Sequence, residues 1–173
     1  MRIISLIRIA LATEENISQV FEIEKEAISP PWSFDSLLDE VSRDDSFFIV
    51  AIEGALEGVL EEPSDRTLEE TQKSGPSLLG FAILRQVGDD GELLRIAAHK
   101  SARRSGVGDL LMGAVFDFAK NNKLLSVFLE VRCSNTAAIR LYEKHGFSAL
   151  RTRKDYYDNP VENAIVFAKE LGE

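Results

Sequence analysis

The chain has 173 residues, of which 45% are hydrophobic and 28% are charged, and this composition is typical of a soluble globular protein. Cys133 is the only cysteine, which excludes an intrachain disulfide, and His99 and His145 stand alone, which argues against a structural zinc site. The formal net charge is −9 at pH 7, with 20 acidic and 7 basic residues in 1–92 but 9 acidic and 13 basic residues in 93–173. A basic C-terminal half favours a polyanionic ligand, whereas the acidic N-terminal half favours a cationic second substrate and argues against nucleic acid as the main partner.

Apolar periodicity and turn residues predict seven strands and four helices. The predicted strands lie at 6–11, 46–52, 78–87, 92–98, 124–132, 147–155 and 163–169. Two predicted helices lie between the first two strands: one is capped by Thr13 and ended by Pro30 and Pro31, and the other is capped by Ser33. A third helix, to about Asn122, precedes the strand at 124–132, and a fourth, from Asn135 to His145, follows it. Arg8 interrupts the first apolar run, which therefore predicts a strand rather than a signal peptide. No stretch approaches the ~20 apolar residues of a membrane span.

The order of the predicted elements indicates an α/β (α+β) protein with a mixed sheet flanked by helices. Gly88-Asp89-Asp90-Gly91 predicts a hairpin between two of the strands. The acidic stretch 54–77 contains Pro63 and Pro76 and predicts a long loop, with one helical turn near 67–72. We therefore expect a single domain over residues 1–173 with an acidic loop insertion at 54–77.

A glycine-bearing loop, Arg103-Arg104-Ser105-Gly106-Val107-Gly108, follows a predicted strand and opens a predicted helix. The unpaired N–H groups of a helix start bind phosphate, and glycine allows the backbone to approach a pyrophosphate closely. The two arginines add positive charge and forked donors. The alternative is an ordinary helix start in which glycine and Ser105 serve as caps, and the hexapeptide alone leaves both interpretations open.

Residues 129–135 (LEVRCSN) and 141–147 (LYEKHGF), taken with this loop, resemble the GNAT superfamily of N-acetyltransferases. Arg103, Gly106 and Gly108 fit the acetyl-CoA signature (Q/R)-x-x-G-x-(G/A) of that superfamily. Residues 31–33 (PWS), 96–98 (IAA) and 156–157 (YY) add a likeness to its RimI-type branch of ribosomal-protein-alanine N-acetyltransferases. The resemblance covers the chain except 54–77, where the family usually has a short hairpin.

The resemblance implies a GNAT fold, a mixed and mostly antiparallel sheet with acetyl-CoA at the splay between two central strands. It implies that the glycine loop holds the pyrophosphate, that 96–98 lie along the pantetheine arm, and that Asn135 contacts the arm from the other side. Ordinary sheet pairing is the alternative for 96–98. The expected cofactor-binding residues are Ile96, Ala97, Ala98, Arg103, Arg104, Ser105, Gly106, Val107, Gly108, Asp109 and Asn135, with acetyl-CoA as co-substrate and no metal.

Glu130 stands in an otherwise apolar predicted strand, where a carboxylate is costly unless it is paired or functional. From the residues alone, a salt bridge to Arg132 or Arg95 is the alternative. The resemblance implies that Glu130 is the general base, acting through a water, and that the Tyr142 phenol protonates the leaving thiolate. For Tyr142 the alternative is packing as a half-buried aromatic beside Leu141. Glu143, Lys144 and His145 are expected to form a solvated helix end, and an approach to the cofactor phosphates is the alternative for Lys144.

Trp32, Glu92, Tyr156 and Tyr157 are candidates for gripping the acceptor, because aromatic walls and a carboxylate suit a short chain that bears an ammonium. Core packing is the alternative for Trp32, and a β-hairpin tip is the alternative for the two tyrosines. The resulting hypothesis is acetyl transfer to the N-terminal α-amine of a protein, by resemblance an alanine of a small-subunit ribosomal protein. A GNAT enzyme for a small amine, a lysine side chain or an antibiotic, and a non-catalytic acyl-CoA-binding module, remain alternatives. We expect a cytoplasmic monomer or weak dimer without membrane or direct nucleic-acid partners.

Overall fold

The computed structural model describes residues 6–54 and 77–172. Within them lie seven strands and four α-helices in the predicted order. The strands are Leu6–Leu11 (β1), Ser46–Gly54 (β2), Leu78–Val87 (β3), Asp90–Ala98 (β4), Ser126–Arg132 (β5), Ser148–Asp158 (β6) and Val161–Glu170 (β7). The helices are Ile17–Ala27 (α1), Phe34–Val41 (α2), Val107–Asn121 (α3) and Thr136–Lys144 (α4).

Most predicted helix ends are confirmed by their capping geometry. The Ser33 hydroxyl accepts a hydrogen bond from the Ser36 N–H at 3.1 Å and begins α2, and Gly146, at φ +82°, follows the end of α4. Thr13 precedes a short 3-10 turn at Glu14–Asn16 that leads directly into α1. That helix already ends at Ala27, before the two prolines.

The predicted hairpin between β3 and β4 is corrected to a shorter turn. Val87 pairs with Asp90, so only Gly88 and Asp89 form the turn, with Gly88 at φ +65°. Gly91 belongs to β4, where a Cβ atom would lie 3.0 Å from a methyl group of Leu84. Close packing rather than turn geometry therefore explains this glycine.

The strand order is β1-β2-β3-β4-β5-β7-β6, and every neighbouring pair is antiparallel except β4 and β5. These two parallel strands pair only from Asp90 with Ser126 to Glu92 with Phe128. Beyond Glu92 they separate, and the register of β3 with β4 shifts at a bulge around Leu94. The expected mixed, mostly antiparallel sheet with a splay between two central strands is confirmed.

Each face of the sheet carries its own apolar core. One core lies under α3 and α4 and includes Leu111, Met112, Leu129 and Phe167, whereas the other lies under α1 and α2. Side chains that alternate along β5 divide between the faces, because successive residues of a strand point to opposite sides. Leu129 therefore points to the α3 and α4 face, and Glu130 points to the α1 and α2 face.

The predicted insertion at 54–77 and its helical turn at 67–72 lie outside the described residues, apart from the two ends of the stretch. Gly54 is the last residue of β2, and Ser77 directly precedes β3. The Ser77 carbonyl accepts a hydrogen bond from the Glu53 N–H at 2.9 Å. The two ends of the stretch are thus joined by backbone pairing.

Candidate active site

The glycine loop leads into the first turn of α3, as predicted, and a 3-10 turn at Lys100–Ala102 separates it from the end of β4 at Ala98. Gly106 has φ +89°, a left-handed conformation that a side chain would strain, and Arg104 has φ +64°. A Cβ atom on Gly106 would meet nothing within 4 Å, so the space beside this glycine is open. The first intrahelical bond joins the Leu110 N–H to the Gly106 carbonyl at 3.0 Å, which leaves the N–H groups of 107–109 as helix-start donors. This loop fits a pyrophosphate.

The structure gives a reason for a glycine at position 108 that the motif does not suggest. A Cβ atom there would lie 3.3 Å from Leu141 Cδ2, on the neighbouring helix α4. Helix packing therefore also favours a glycine at this position, and the expected close approach of its backbone to a pyrophosphate stays a prediction. This contact packs the first turn of α3 against α4, the helix that carries Tyr142.

The Asp109 carboxylate is already engaged. Both of its oxygens accept from Lys144 Nζ at 2.7 Å, and His145 Nε2 lies 2.8 Å from Oδ1. Hydrogen bonds from Lys144 and His145 hold the pKa of Asp109 below its usual value. The expected solvated helix end is confirmed for Lys144, whose side chain is 64% exposed although it pairs with Asp109. It is wrong for His145, whose side chain is 19% exposed and ties the end of α4 to the start of α3.

Asn135 caps α4: its Oδ1 accepts from the Ala138 N–H at 3.2 Å. This contact occupies the carbonyl oxygen and leaves the amide NH₂ group for the expected contact with the cofactor arm.

Residues 96–98 lie at the edge of the splay. On one side they pair with β3, from Ile96 with Ala82 to Ala98 with Gly80, and on the other side β5 has already separated from them. Sheet pairing is therefore confirmed for the backbone atoms that face β3, and the expected contact with the pantetheine arm stays a prediction for the atoms on the other edge. Sheet pairing uses one edge, and the other edge offers strand-like hydrogen bonds to a ligand.

Tyr142 lies on the α3 and α4 face, where its ring contacts Phe147 and Phe167. Its side chain is 6% exposed, and this burial raises the pKa of the Tyr142 phenol well above its usual value. The phenol therefore keeps its proton throughout the neutral range, as a general acid requires. The packing interpretation and the catalytic one are compatible in this geometry.

Glu130 points to the opposite face and is paired with neither Arg132 nor Arg95, the two expected alternatives. Its Oε1 accepts a hydrogen bond from Arg153 Nη1, and the two side chains are 20% and 44% exposed. Arg153 lies on β6, 23 residues further along the chain. No local sequence pattern signals this partner, because the pair forms only through the β5-β7-β6 sheet order.

Glu92 lies beside Glu130 across the first part of the splay. Burial, followed by the negative charge of Glu130, raises the pKa of Glu92 above its ordinary value. Two neighbouring carboxylates make this cleft acidic, which suits a cationic acceptor.

The bulge in β4 directs Arg95 toward the α1 and α2 face. Arg95 Nε donates to Glu24 Oε1 at 3.1 Å, and its guanidinium lies 4.3 Å from the centre of the Trp32 ring. The same Glu24 oxygen accepts from the Trp32 N–H at 2.8 Å. Trp32 is half-buried and packs against the core under α1 and α2, as the core-packing alternative had it, and this charged network holds it as well. The sequence analysis did not identify Glu24. The available signal was a carboxylate at a position on the apolar face of α1.

Tyr156 and Tyr157 lie on β6 shortly before its turn into β7. The turn itself is Asn159 and Pro160, so the hairpin-tip alternative is wrong. Interaction with the Glu130 carboxylate is the main cause that raises the pKa of Tyr156, whereas burial is the main cause for Tyr157. Both tyrosines therefore border the same carboxylate.

Arg132 is a site residue that sequence reasoning named only as a possible partner of Glu130. Its guanidinium donates to the Ser29 carbonyl at 3.1 Å and to the Pro160 and Asn159 carbonyls at 3.2 Å each. It also pairs with Glu162 at 3.1 Å and lies 4.0 Å from the centre of the Tyr157 ring. Arg132 therefore joins the loop between α1 and α2 to the turn between β6 and β7, the two loops that border the cleft.

Within residues 6–54 and 77–172, no group of His, Cys, Asp and Glu is arranged to hold a metal ion. No helix in this part of the chain is both long enough and apolar enough to cross a membrane.

Known proteins resemble the chain in sequence and in structure. The sequence model of the acetyltransferase (GNAT) family matches residues 15–147. The ribosomal protein bS18-alanine N-acetyltransferase of Haemophilus influenzae is 32% identical over 156 residues, which cover 88% of this chain and 91% of that protein. The ribosomal-protein-S18-alanine N-acetyltransferase of Escherichia coli has a TM-score of 0.76 at 24% identity, over 97% of this chain and 96% of that one. An acetyltransferase of Salmonella typhimurium with its cofactor acetyl-CoA has a TM-score of 0.72 at 17% identity, over 96% of this chain and 95% of that one.

Proposed function

The chain belongs to the acetyltransferase (GNAT) family, and from that premise we propose that it acetylates the N-terminal α-amine of a ribosomal protein, an N-terminal alanine of bS18. Acetyl-CoA is the acetyl donor. The carrying observation is the splay between β4 and β5, with Glu130 on one face of the sheet and Tyr142 on the other. A thioester held in this opening has a candidate base on the acceptor side and a proton donor on the opposite side.

The reaction uses these groups as follows. The neutral amine nitrogen attacks the thioester carbonyl carbon, so that a C–N bond forms and the C–S bond breaks. Glu130 receives the amine proton through a water, and the Tyr142 phenol gives its proton to the departing sulfur. The free backbone edge of 96–98 provides an N–H for the carbonyl oxygen.

The choice of an α-amine rests on the relative from Haemophilus influenzae, which is named for alanine N-acetylation of bS18. It also agrees with the chemistry, because an α-amino group has a pKa near ~8 and lysine one near ~10.4. A larger share of the α-amine is neutral at physiological pH. A carboxylate acting through water is therefore sufficient for deprotonation.

The cleft geometry supports a peptide acceptor. Trp32, Glu92, Tyr156 and Tyr157 all border the Glu130 face, and Arg132 joins the two loops beside them. A peptide N-terminus brings one ammonium into a cleft that holds two carboxylates. Ribosomal proteins are made in the cytoplasm, so the proposal places the enzyme there, as a single domain with an insertion at 54–77 that acts as a monomer or weak dimer.

The deciding experiment measures release of free CoA thiol from acetyl-CoA with a peptide copied from the N-terminus of bS18. A matched peptide has a blocked N-terminus and free lysines, and a panel of small amines runs in parallel. Turnover only with the free N-terminus supports the proposal. Equal turnover with both peptides indicates lysine acetylation, and turnover confined to the panel indicates a small-amine acceptor. Acetyl-CoA binding without turnover by any acceptor indicates a binding module.

A further inference from the structure

Arg153 occupies the position on Glu130 that an acceptor ammonium needs. Its Nη1 donates to Oε1 of the carboxylate that we assign as the general base. An amine that arrives as an ammonium would bind the same oxygen, and two cations in contact with one carboxylate oxygen repel each other. The guanidinium and the acceptor therefore compete for one carboxylate.

The backbone around Arg153 is irregular. The register between β6 and β7 is lost from Arg153, which pairs with Ala164, to Tyr157, which pairs with Glu162. Within this bulge Asp155 has φ +49°, and its N–H donates to Asn163 Oδ1 at 2.9 Å. The strand lies at the edge of the sheet, so its outer side is open to solvent. Register puts Arg153 on the Glu130 face, because Arg153 pairs with Ala164, and Ala164 pairs with Arg132, two residues from Glu130.

Arg153 also has a second favourable position. Its guanidinium lies 4.2 Å from the centre of the Tyr156 ring, and the side chain is 44% exposed. After leaving Glu130 the guanidinium can remain over this ring and in water. Leaving the carboxylate therefore costs little, as expected for a half-exposed ion pair.

The charges around Glu130 explain why a counter-ion is present in the free cleft. Glu92 of β4 faces it with like charge, and Tyr156 and Tyr157 of β6 border it. Arg132, on the same strand, is occupied by Glu162 and by the carbonyls of the two loops. Among the described residues, only Arg153 forms an ion pair with Glu130.

We propose that Arg153 is a displaceable counter-ion: it neutralises Glu130 in the free cleft, and the α-ammonium of an arriving acceptor replaces it. Arg153 acts through Glu130, so it is a positioning residue rather than a catalytic one. The inference rests on the proposed function, because it takes Glu130 as the base and an amine as the acceptor. It makes acceptor affinity the outcome of a competition between two cations.

The test compares Arg153→Gln with the wild-type enzyme, using the bS18 N-terminal peptide. Binding of the peptide to the enzyme–CoA complex is measured by calorimetry, and KM and kcat are measured in the thiol-release assay. Loss of the competing cation is expected to lower Kd and KM by about fivefold, with kcat changed by less than about twofold. Arg153→Lys keeps the charge and is expected to remain near the wild-type values.

Arg151→Gln is the matched control, because Arg151 is exposed on the same strand and forms no ion pair with the described residues. A second control uses a peptide with an N-terminal aminooxy group, which is neutral at the assay pH. With no ammonium to compete, the advantage of Arg153→Gln is expected to disappear.

An increase in KM for Arg153→Gln would overturn the proposal, because it would mean that Arg153 binds the acceptor directly. Unchanged Kd and KM, or an equal gain with the neutral aminooxy peptide, would overturn it as well. These outcomes leave the proposed function intact if the wild-type enzyme acetylates the peptide. Failure of the wild-type enzyme to bind or acetylate the peptide contradicts the proposed function instead, and with it displacement by an α-ammonium.

Discussion

The two faces of the central sheet are organised by different interactions. On the α3 and α4 face, the glycine loop and Tyr142 are placed by backbone conformation and apolar packing. On the α1 and α2 face, side chains of the cleft are placed by ion pairs and charged hydrogen bonds between distant parts of the chain. Arg95 and Glu24 form an ion pair 71 residues apart, and Arg132 donates to the Ser29 carbonyl, 103 residues away. On the donor side, backbone conformation and apolar packing are supplemented by the contacts of Asp109 with Lys144 and His145, whereas the acceptor side depends mainly on charged contacts across the assembled fold.

The opening between β4 and β5 connects these two faces. On the donor side, contacts with an invariant molecule such as acetyl-CoA can be supplied by backbone atoms, which every sequence provides. On the acceptor side, the proposed function assigns the choice of amine to charged side chains, which can change while the fold remains. Under that proposal, the reaction type and the acceptor depend on different parts of this molecule.

The largest effect is expected where both faces meet at the reaction. Glu130→Gln and Tyr142→Phe are each expected to reduce kcat by about 100-fold or more, since general acid–base catalysis contributes factors of that size. Acetyl-CoA affinity, measured by calorimetry, is expected to stay nearly unchanged. Glu143→Gln, next to Tyr142 and exposed, serves as the control. Wild-type rates for both variants would refute the roles assigned here.

A smaller effect that separates the two faces is expected from Arg132→Lys. Lysine cannot reproduce the fork that joins Ser29 to Asn159 and Pro160, so the two cleft loops lose a shared anchor. We expect KM for the peptide to increase about tenfold, because hydrogen bonds to charged groups contribute about 1.5–3 kcal/mol. Affinity for acetyl-CoA should not change. Arg140→Lys, exposed on α4, is the control, and a loss of acetyl-CoA affinity would contradict the division between the faces.

Gly106→Ala is expected to affect the donor face and not the acceptor face. Its φ of +89° makes a side chain unfavourable by about 1 kcal/mol, although the space beside it is open. The free energy of unfolding is expected to fall by that amount in urea denaturation, and acetyl-CoA affinity should fall while KM for the peptide does not. Gly113→Ala is the control, because Gly113 lies within α3 with nothing within 4 Å of an added Cβ and should gain about 0.5–1 kcal/mol. An unchanged acetyl-CoA affinity in Gly106→Ala would remove the loop from the donor site.

The smallest effect concerns the pH dependence of stability on the acceptor face. Burial raises the pKa of Glu24 above 4.5, against the opposing effects of the Trp32 N–H and Arg95. The folded protein therefore keeps this proton to higher pH than the unfolded chain does, and the free energy of unfolding falls as the pH rises from 4.5 through the raised pKa. Glu24→Gln is expected to flatten that slope in denaturation series between pH 4.5 and 7. The exposed Glu22→Gln is the control, and equal slopes in the wild type and Glu24→Gln would show that Glu24 does not contribute.

The sequence predicted the element order, the cap at Ser33, and the strand–loop–helix context of the glycine loop. These features follow from residues within a few positions of one another. It predicted some boundaries less well. Asp90 and Gly91 are residue types that favour turns, but they lie in β4, because pairing with β3 and packing against Leu84 outweigh local turn propensity.

By itself, then, the sequence determined the fold class, the family and the reaction type, because the glycine loop and the segments 129–135 and 141–147 are short local patterns that resemble those of a known family. Only the tertiary structure decided which charges surround them. Glu130 pairs with Arg153 rather than with Arg132 or Arg95, since β6 is brought beside it through β7, and the bulge in β4 turns Arg95 toward Glu24. Ion pairs between distant residues depend on sheet order and register, which no local pattern of residues specifies.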